Sequence, residues 1–103
     1  MVSCSDLSGV MAMMPAFATD DAASIDAKDP VDVNRLEAGL NQMISDGAGV
    51  VSTCGSFGEF HTLLWDEFKT LNRAVVEIAD KRVPIFVGCT ALNSREALQR
   101  MEY

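Results

Sequence analysis

Gly49-Val50-Val51-Ser52-Thr53-Cys54-Gly55-Ser56-Phe57-Gly58-Glu59 (residues 49–59) is a short β-branched run that passes into a turn bracketed by glycines. The run does not alternate between apolar and polar residues, which is the pattern of a strand covered on both faces. Helical spacing stands on either side of it. Upstream, Val33, Leu36, Leu40, Met43 and Ile44 recur at short helical steps, with Asp32 placed to cap the start and Gly47 to end the helix. Downstream, Leu64, Phe68, Leu71, Val75 and Ile78 form a second apolar stripe. Working outward, Gly9–Met14 is another unalternating apolar run, stopped by Pro15. Arg82–Gly88 is a third, with Pro84 near its start, where a missing ladder donor costs least. Asn93-Ser94-Arg95-Glu96 then opens a third helix, with Asn93 as cap and Glu96 three residues on. The order β-α-β-α-β-α defines an α/β protein with parallel strands. A doubly wound sheet and a (β/α)8 barrel both begin this way.

The chain has 103 residues, 49% of them hydrophobic and 22% charged, with a formal charge of −7. That charge repels nucleic acid and anionic membrane, so neither is expected as a partner. The longest apolar stretch, Val10 to Phe17, falls far short of the roughly 20 residues that span a bilayer. The start has no basic region followed by a long apolar run, so no signal peptide is read there. Cys4, Cys54 and Cys89 are widely spaced and form no paired ligand motif, so neither a zinc site nor a disulfide scaffold is signalled. A cytoplasmic location is expected. The acidic stretch from Ala18 to Pro30, with Asp32, lacks calcium-loop spacing and is read as a solvated loop. No metal site is expected.

Ligands of parallel βα proteins sit at the carboxyl ends of the strands. This directs attention to Met14–Phe17, Cys54–Glu59 and Cys89–Asn93. In the second of these, Gly55 and Gly58 bracket Ser56-Phe57 just before a helix, which offers successive backbone N–H groups and a hydroxyl to a small anion such as a carboxylate. The alternative is a tight connection whose glycines only relieve crowding. No Gly-Lys-Ser/Thr follows, so the turn is not a P-loop.

Gly55-Ser56-Phe57-Gly58-Glu59, followed by Leu63 and Glu67, resembles the Gly-x-x-Gly-Glu-x-x-x-Leu-x-x-x-Glu signature of the dihydrodipicolinate synthase / N-acetylneuraminate lyase family. Pro15, Gly47, Gly49, Arg82-Val83-Pro84, Gly88 and Asn93-Ser94 fit as well. Leu64-Trp65-Asp66-Glu67 and Gly88-Cys89-Thr90-Ala91-Leu92-Asn93 look most like the hydratase-aldolase branch that acts on benzylidenepyruvates in aromatic hydrocarbon breakdown. The resemblance implies the first three βα units of a (β/α)8 barrel, cut short, within an enzyme that is usually a homo-oligomer. It implies a lyase that makes or breaks a carbon–carbon bond to pyruvate, or to an aryl-substituted pyruvate, through a lysine imine and without a cofactor. A synthase, a sialate-type lyase, a sugar-acid dehydratase or a non-catalytic anion-binding βα module are the alternatives. Carried over, the pyruvate carboxylate falls to the Ser56 hydroxyl and the Phe57 N–H, with Gly55, Gly58 and Glu59 shaping the turn.

The family's imine-forming lysine and catalytic tyrosine have no match here. Lys28, Lys69, Lys81 and Tyr103 are all misplaced for those roles, so the 103 residues alone are expected to be inactive. Phe57 stands where lysine-pathway synthases carry a threonine. Its ring is read as an apolar wall for an aryl group, or else as turned into the core. His61, in the first turn of the second helix, is read as a surface or interface residue, and Trp65 as packing. Cys54 and Cys89 are read as inert thiols approaching each other in the barrel mouth, into which Val10, Met13, Val51 and Val87 are expected to point.

Overall fold

The computed structural model describes residues 1–103. Three strands, β1 (Val10–Met13), β2 (Ala48–Thr53) and β3 (Ile85–Val87), pair in parallel in the order β1-β2-β3. Between and after them come α1 (Val33–Ser45), α2 (Trp65–Ala79) and α3 (Ser94–Glu102). Each crossover thus returns the chain to the next position in the sheet, as a parallel βα design requires.

Asp32 caps α1 by accepting the Arg35 N–H at 2.9 Å, and Asn93 caps α3 by accepting the Glu96 N–H at 2.9 Å. After α1 the chain turns at Gly47 with φ +96°, a conformation glycine adopts without side-chain strain. Both α1 and α2 cover one face of the sheet. Leu36 and Leu40 from α1 meet Phe68, Leu71, Val75 and Ala79 from α2 over Val51, with Ala12 and Ile85 packed alongside. Arg82 ties the layer together at its other end. Its guanidinium donates to the Ala79 and Ile78 carbonyls, and to Asn41 of α1 at 2.7 Å.

The acidic segment is pinned at its base. Ala18 and Val31 form an antiparallel bridge, and Arg35 holds Asp20 at 2.9 Å and the Ala18 carbonyl at 3.2 Å.

One sequence reading of the strands needs correction. Within these 103 residues β1 is the edge strand, with Val10, Met11 and Met13 68%, 53% and 56% exposed, while Val50, in register with Met11, is 4% exposed. The expected inward set mixes two faces. Register aligns Ala12 with Val51 and Ile85, and Thr53 with Val87, and the apolar members of both rows pack into the helix layer. Met13 aligns with Ser52 and Phe86 on the opposite, open face. An unalternating apolar run carries no parity, so spacing alone could not separate these rows.

Candidate functional site

The carboxyl ends of the three strands are drawn together by backbone contacts that leave no room for side chains. A β-carbon on Gly58 would stand 2.7 Å from the Cys54 nitrogen and 3.1 Å from the Met14 carbonyl oxygen, which seats the turn against the ends of both β2 and β1. A β-carbon on Gly88 would stand 2.5 Å from the Cys54 carbonyl oxygen, and the Gly88 N–H donates to the Thr53 carbonyl at 3.0 Å. Met14, Cys54 and Gly88 therefore converge at one rim.

The turn that springs from this rim starts with Cys54 at φ +52° and ends with Glu59 at φ +55°, both left-handed. It closes on itself. The Glu59 N–H donates to the Ser56 carbonyl at 3.2 Å, and the Phe60 N–H to the Gly55 carbonyl at 3.4 Å. In contrast, the N–H groups of Gly55, Ser56, Phe57 and Gly58 donate to no carbonyl or side chain. Ser56 is exposed, and the Phe57 ring is 57% exposed instead of turned into the core. Unpaired N–H donors, a hydroxyl and an apolar ring thus share one small loop that is exposed at Ser56 and Phe57 and buried at Gly58. Such a loop can receive a carboxylate.

This donor set belongs to the turn itself, in contrast to the helix N-terminus that the sequence suggests. A 3-10 turn, Phe60–Thr62, intervenes, and it carries the exposed His61, which stands edge-to-face with Phe60. α2 begins only at Trp65, and its first donor is occupied internally by the Glu67 carboxylate, which accepts the Leu64 N–H at 2.7 Å. Leu64 is accordingly 71% exposed at the cap and not part of the buried stripe.

Beneath the rim lies a polar cluster that periodicity had passed over. Thr53, Cys54 and Asn72 are 1%, 1% and 5% exposed, and the Thr53 hydroxyl donates to Asn72 Oδ1 at 2.6 Å. Cys54 therefore points toward α2, away from the open face where the sequence reading had put it. Burial pushes its thiol pKa up, against the hydrogen bond from Asn72, so it stays a neutral thiol. Cys89 is half-buried, with its thiol 3.6 Å from the Val87 carbonyl. Trp65 packs as expected, stacked on Phe68 with centroids 5.6 Å apart. A cleft of about 520 Å³ between α2 and α3, lined by Phe68, Asn72, Arg100 and Tyr103 among others, lies on the helix side and does not reach Ser56. Lys69 pairs with Asp66 at 2.6 Å on the α2 surface, far from the role of an imine-forming amine at a strand end.

A parallel sheet with helices packed on one face and its connecting loops at the carboxyl rim is a parallel βα module. The chain belongs to the dihydrodipicolinate synthetase family, whose profile matches residues 11–103. It is 33% identical over 99 residues to the trans-O-hydroxybenzylidenepyruvate hydratase-aldolase of Pseudomonas putida, which covers 96% of this chain and 30% of that protein. The solved structure of PhdJ bound to a substrate intermediate superposes with a TM-score of 0.88 at 30% identity, covering 96% of this chain and 31% of that one. The dihydrodipicolinate synthase of Acinetobacter baumannii, solved with pyruvate, superposes with a TM-score of 0.80 at 26% identity, over 91% of this chain and 30% of that one. The fold is thus the amino-terminal part of a (β/α)8 barrel, which selects the barrel over the doubly wound sheet. The chain spans about 30% of the length of the curated relatives it matches.

No helix is long and apolar enough to cross a membrane.

Proposed function

We propose that these residues supply the carboxylate-binding rim of a pyruvate-dependent class I aldolase of the hydratase-aldolase type. The substrate in this reading is an aryl-ylidene pyruvate, which first adds water across its carbon–carbon double bond to give the aldol. The remaining single bond is then cleaved to an aromatic aldehyde and pyruvate. The observation that carries it is the loop at residues 55–58, where unpaired N–H donors, an exposed hydroxyl and an exposed ring stand together at the end of β2.

In the proposed mechanism the Ser56 hydroxyl and the Phe57 N–H hold the pyruvate carboxylate. Two donors on one carboxylate fix the keto carbon relative to the barrel mouth, so that an amine can attack along one trajectory. The amine would come from a lysine on a strand beyond the three described, and the protonated imine then serves as the electron sink for carbon–carbon cleavage. Phe57 offers a flat apolar wall to the aryl group beside the pyruvate moiety. The assembled enzyme, in this reading, is a homo-oligomer of the cytoplasm.

The test uses a polypeptide that carries these residues together with the remaining strand–helix units. It should release aldehyde and pyruvate from an aryl-ylidene pyruvate. Aromatic stacking contributes about 0.5–1.5 kcal/mol beyond area burial. Phe57→Leu should therefore raise the KM for the aryl substrate by roughly two- to tenfold while leaving pyruvate affinity nearly unchanged. Equal losses for both ligands would assign the ring to packing and remove the support for an aryl substrate.

A further inference from the structure

Resting on the reading of the 55–58 loop as a carboxylate site, we infer that Asn72 of α2 is a positioning residue for that loop. It touches no part of the loop's open face. Instead it holds the two residues from which the loop springs. Its Oδ1 accepts the Thr53 hydroxyl at 2.6 Å, while its Nδ2 donates to Cys54 Sγ at 3.4 Å and to the Phe68 carbonyl at 2.9 Å. One side chain thus ties the end of β2 to the first turns of α2.

The need for such a tie is visible in the backbone. Cys54 has φ +52°, a left-handed conformation that is uncommon outside glycine, asparagine and aspartate and persists only where surroundings hold it. Asn72 holds Cys54 from the helix side, and Gly88, just after β3, lies so close to its carbonyl that no β-carbon would fit between them. The Cys54 peptide sets the direction in which the chain leaves the sheet. It therefore sets where the N–H groups of Gly55, Ser56 and Phe57 aim. A leucine at position 72 would continue the apolar stripe of α2 and fill similar volume, so burial alone does not call for an amide there.

The experiment compares pyruvate affinity with stability to urea in the polypeptide carrying the complete barrel. Asn72→Leu alone leaves the Thr53 hydroxyl buried without a partner, so it lowers stability as well as affinity. The double variant Thr53→Val/Asn72→Leu removes both polar partners, and such paired replacement is close to neutral for stability. The expected result is a roughly tenfold weaker pyruvate affinity in both variants, with stability recovered only in the double, because a misaimed donor forfeits a charged hydrogen bond. Affinity that returns together with stability would overturn the inference and leave Asn72 a packing residue, as would an unchanged affinity in Asn72→Leu. If the single variant does not fold, the double alone decides. Ser56→Ala serves as the control that separates the two readings. A loss in Ser56→Ala without one in the Asn72 variants sinks only the positioning role, whereas no pyruvate binding in the unmodified protein sinks the site itself.

Discussion

Phe68→Ala is expected to destabilise the fold by about 3–5 kcal/mol, the range for removing a buried aromatic ring. Phe68 is fully buried and lies where three elements meet. Its ring stacks on Trp65 at 5.6 Å, stands 6.5 Å from the Tyr103 ring, and carries the Arg100 guanidinium 5.0 Å from its centroid. Arg100 is 6% exposed and satisfied by the Thr90 carbonyl at 2.9 Å and Glu96 at 2.7 Å, but its Nε has no partner. Deleting the ring therefore opens a cavity and also strips a buried cation of the face that supports it. Native domains are stable by only about 5–15 kcal/mol in total, so the loss is a large fraction of what holds the fold together. Urea denaturation of a polypeptide carrying the complete barrel measures it. A loss under about 1 kcal/mol would show that the site collapses freely, contrary to the packing described.

The second large effect is expected at Gly58, and it falls on ligand binding. A β-carbon there meets backbone atoms only, at 2.7 Å from the Cys54 nitrogen and 3.1 Å from both the Gly55 nitrogen and the Met14 oxygen. None of these can swing aside as a side-chain tip would. Gly58→Ala must push the loop off the strand ends, and each charged hydrogen bond lost with a misaimed donor costs about 1.5–3 kcal/mol, so pyruvate affinity should fall roughly tenfold or more. Gly55→Ala is the matched control. Its β-carbon would meet nothing within 4 Å and its φ is not positive, so pyruvate binding should be nearly unaffected. Titration of both variants with pyruvate, in a polypeptide carrying the complete barrel, checks the contrast. Equal behaviour of the two glycines would mean that the loop's seating does not matter.

Much of this molecule is legible before any coordinates. Asp32, Gly47 and Asn93 mark helix ends because capping chemistry is local, and the apolar stripes of α1 and α2 give helices because their period is 3.6. The parity of the strands is not legible, since Val50-Val51 and Met11-Ala12-Met13 are apolar on both faces and only pairing decides which side meets the helices. Leu64 misled for a related reason. It falls in step with Phe68, yet the chain becomes helical only after it, and at the cap it faces solvent. Asn72 and Arg100 escaped notice because polar residues in a helix read as solvated. Both are buried here by partners from other elements, which spacing along one helix cannot reveal. The loop at residues 55–59 stood out in sequence through its glycines. That its N–H groups are free, that it springs from a left-handed cysteine, and that it is separated from α2 by a 3-10 turn required the structure.

The central claim, that Ser56 and the adjoining N–H groups hold the carboxylate of pyruvate, is tested most directly by the pyruvate affinity of Ser56→Ala in a polypeptide carrying the complete barrel. Ser56 is exposed and its hydroxyl makes no internal hydrogen bond, so the change should leave stability intact. One hydrogen bond to a charged acceptor contributes about 1.5–3 kcal/mol, so affinity should fall roughly tenfold or more. An unchanged affinity would contradict the account.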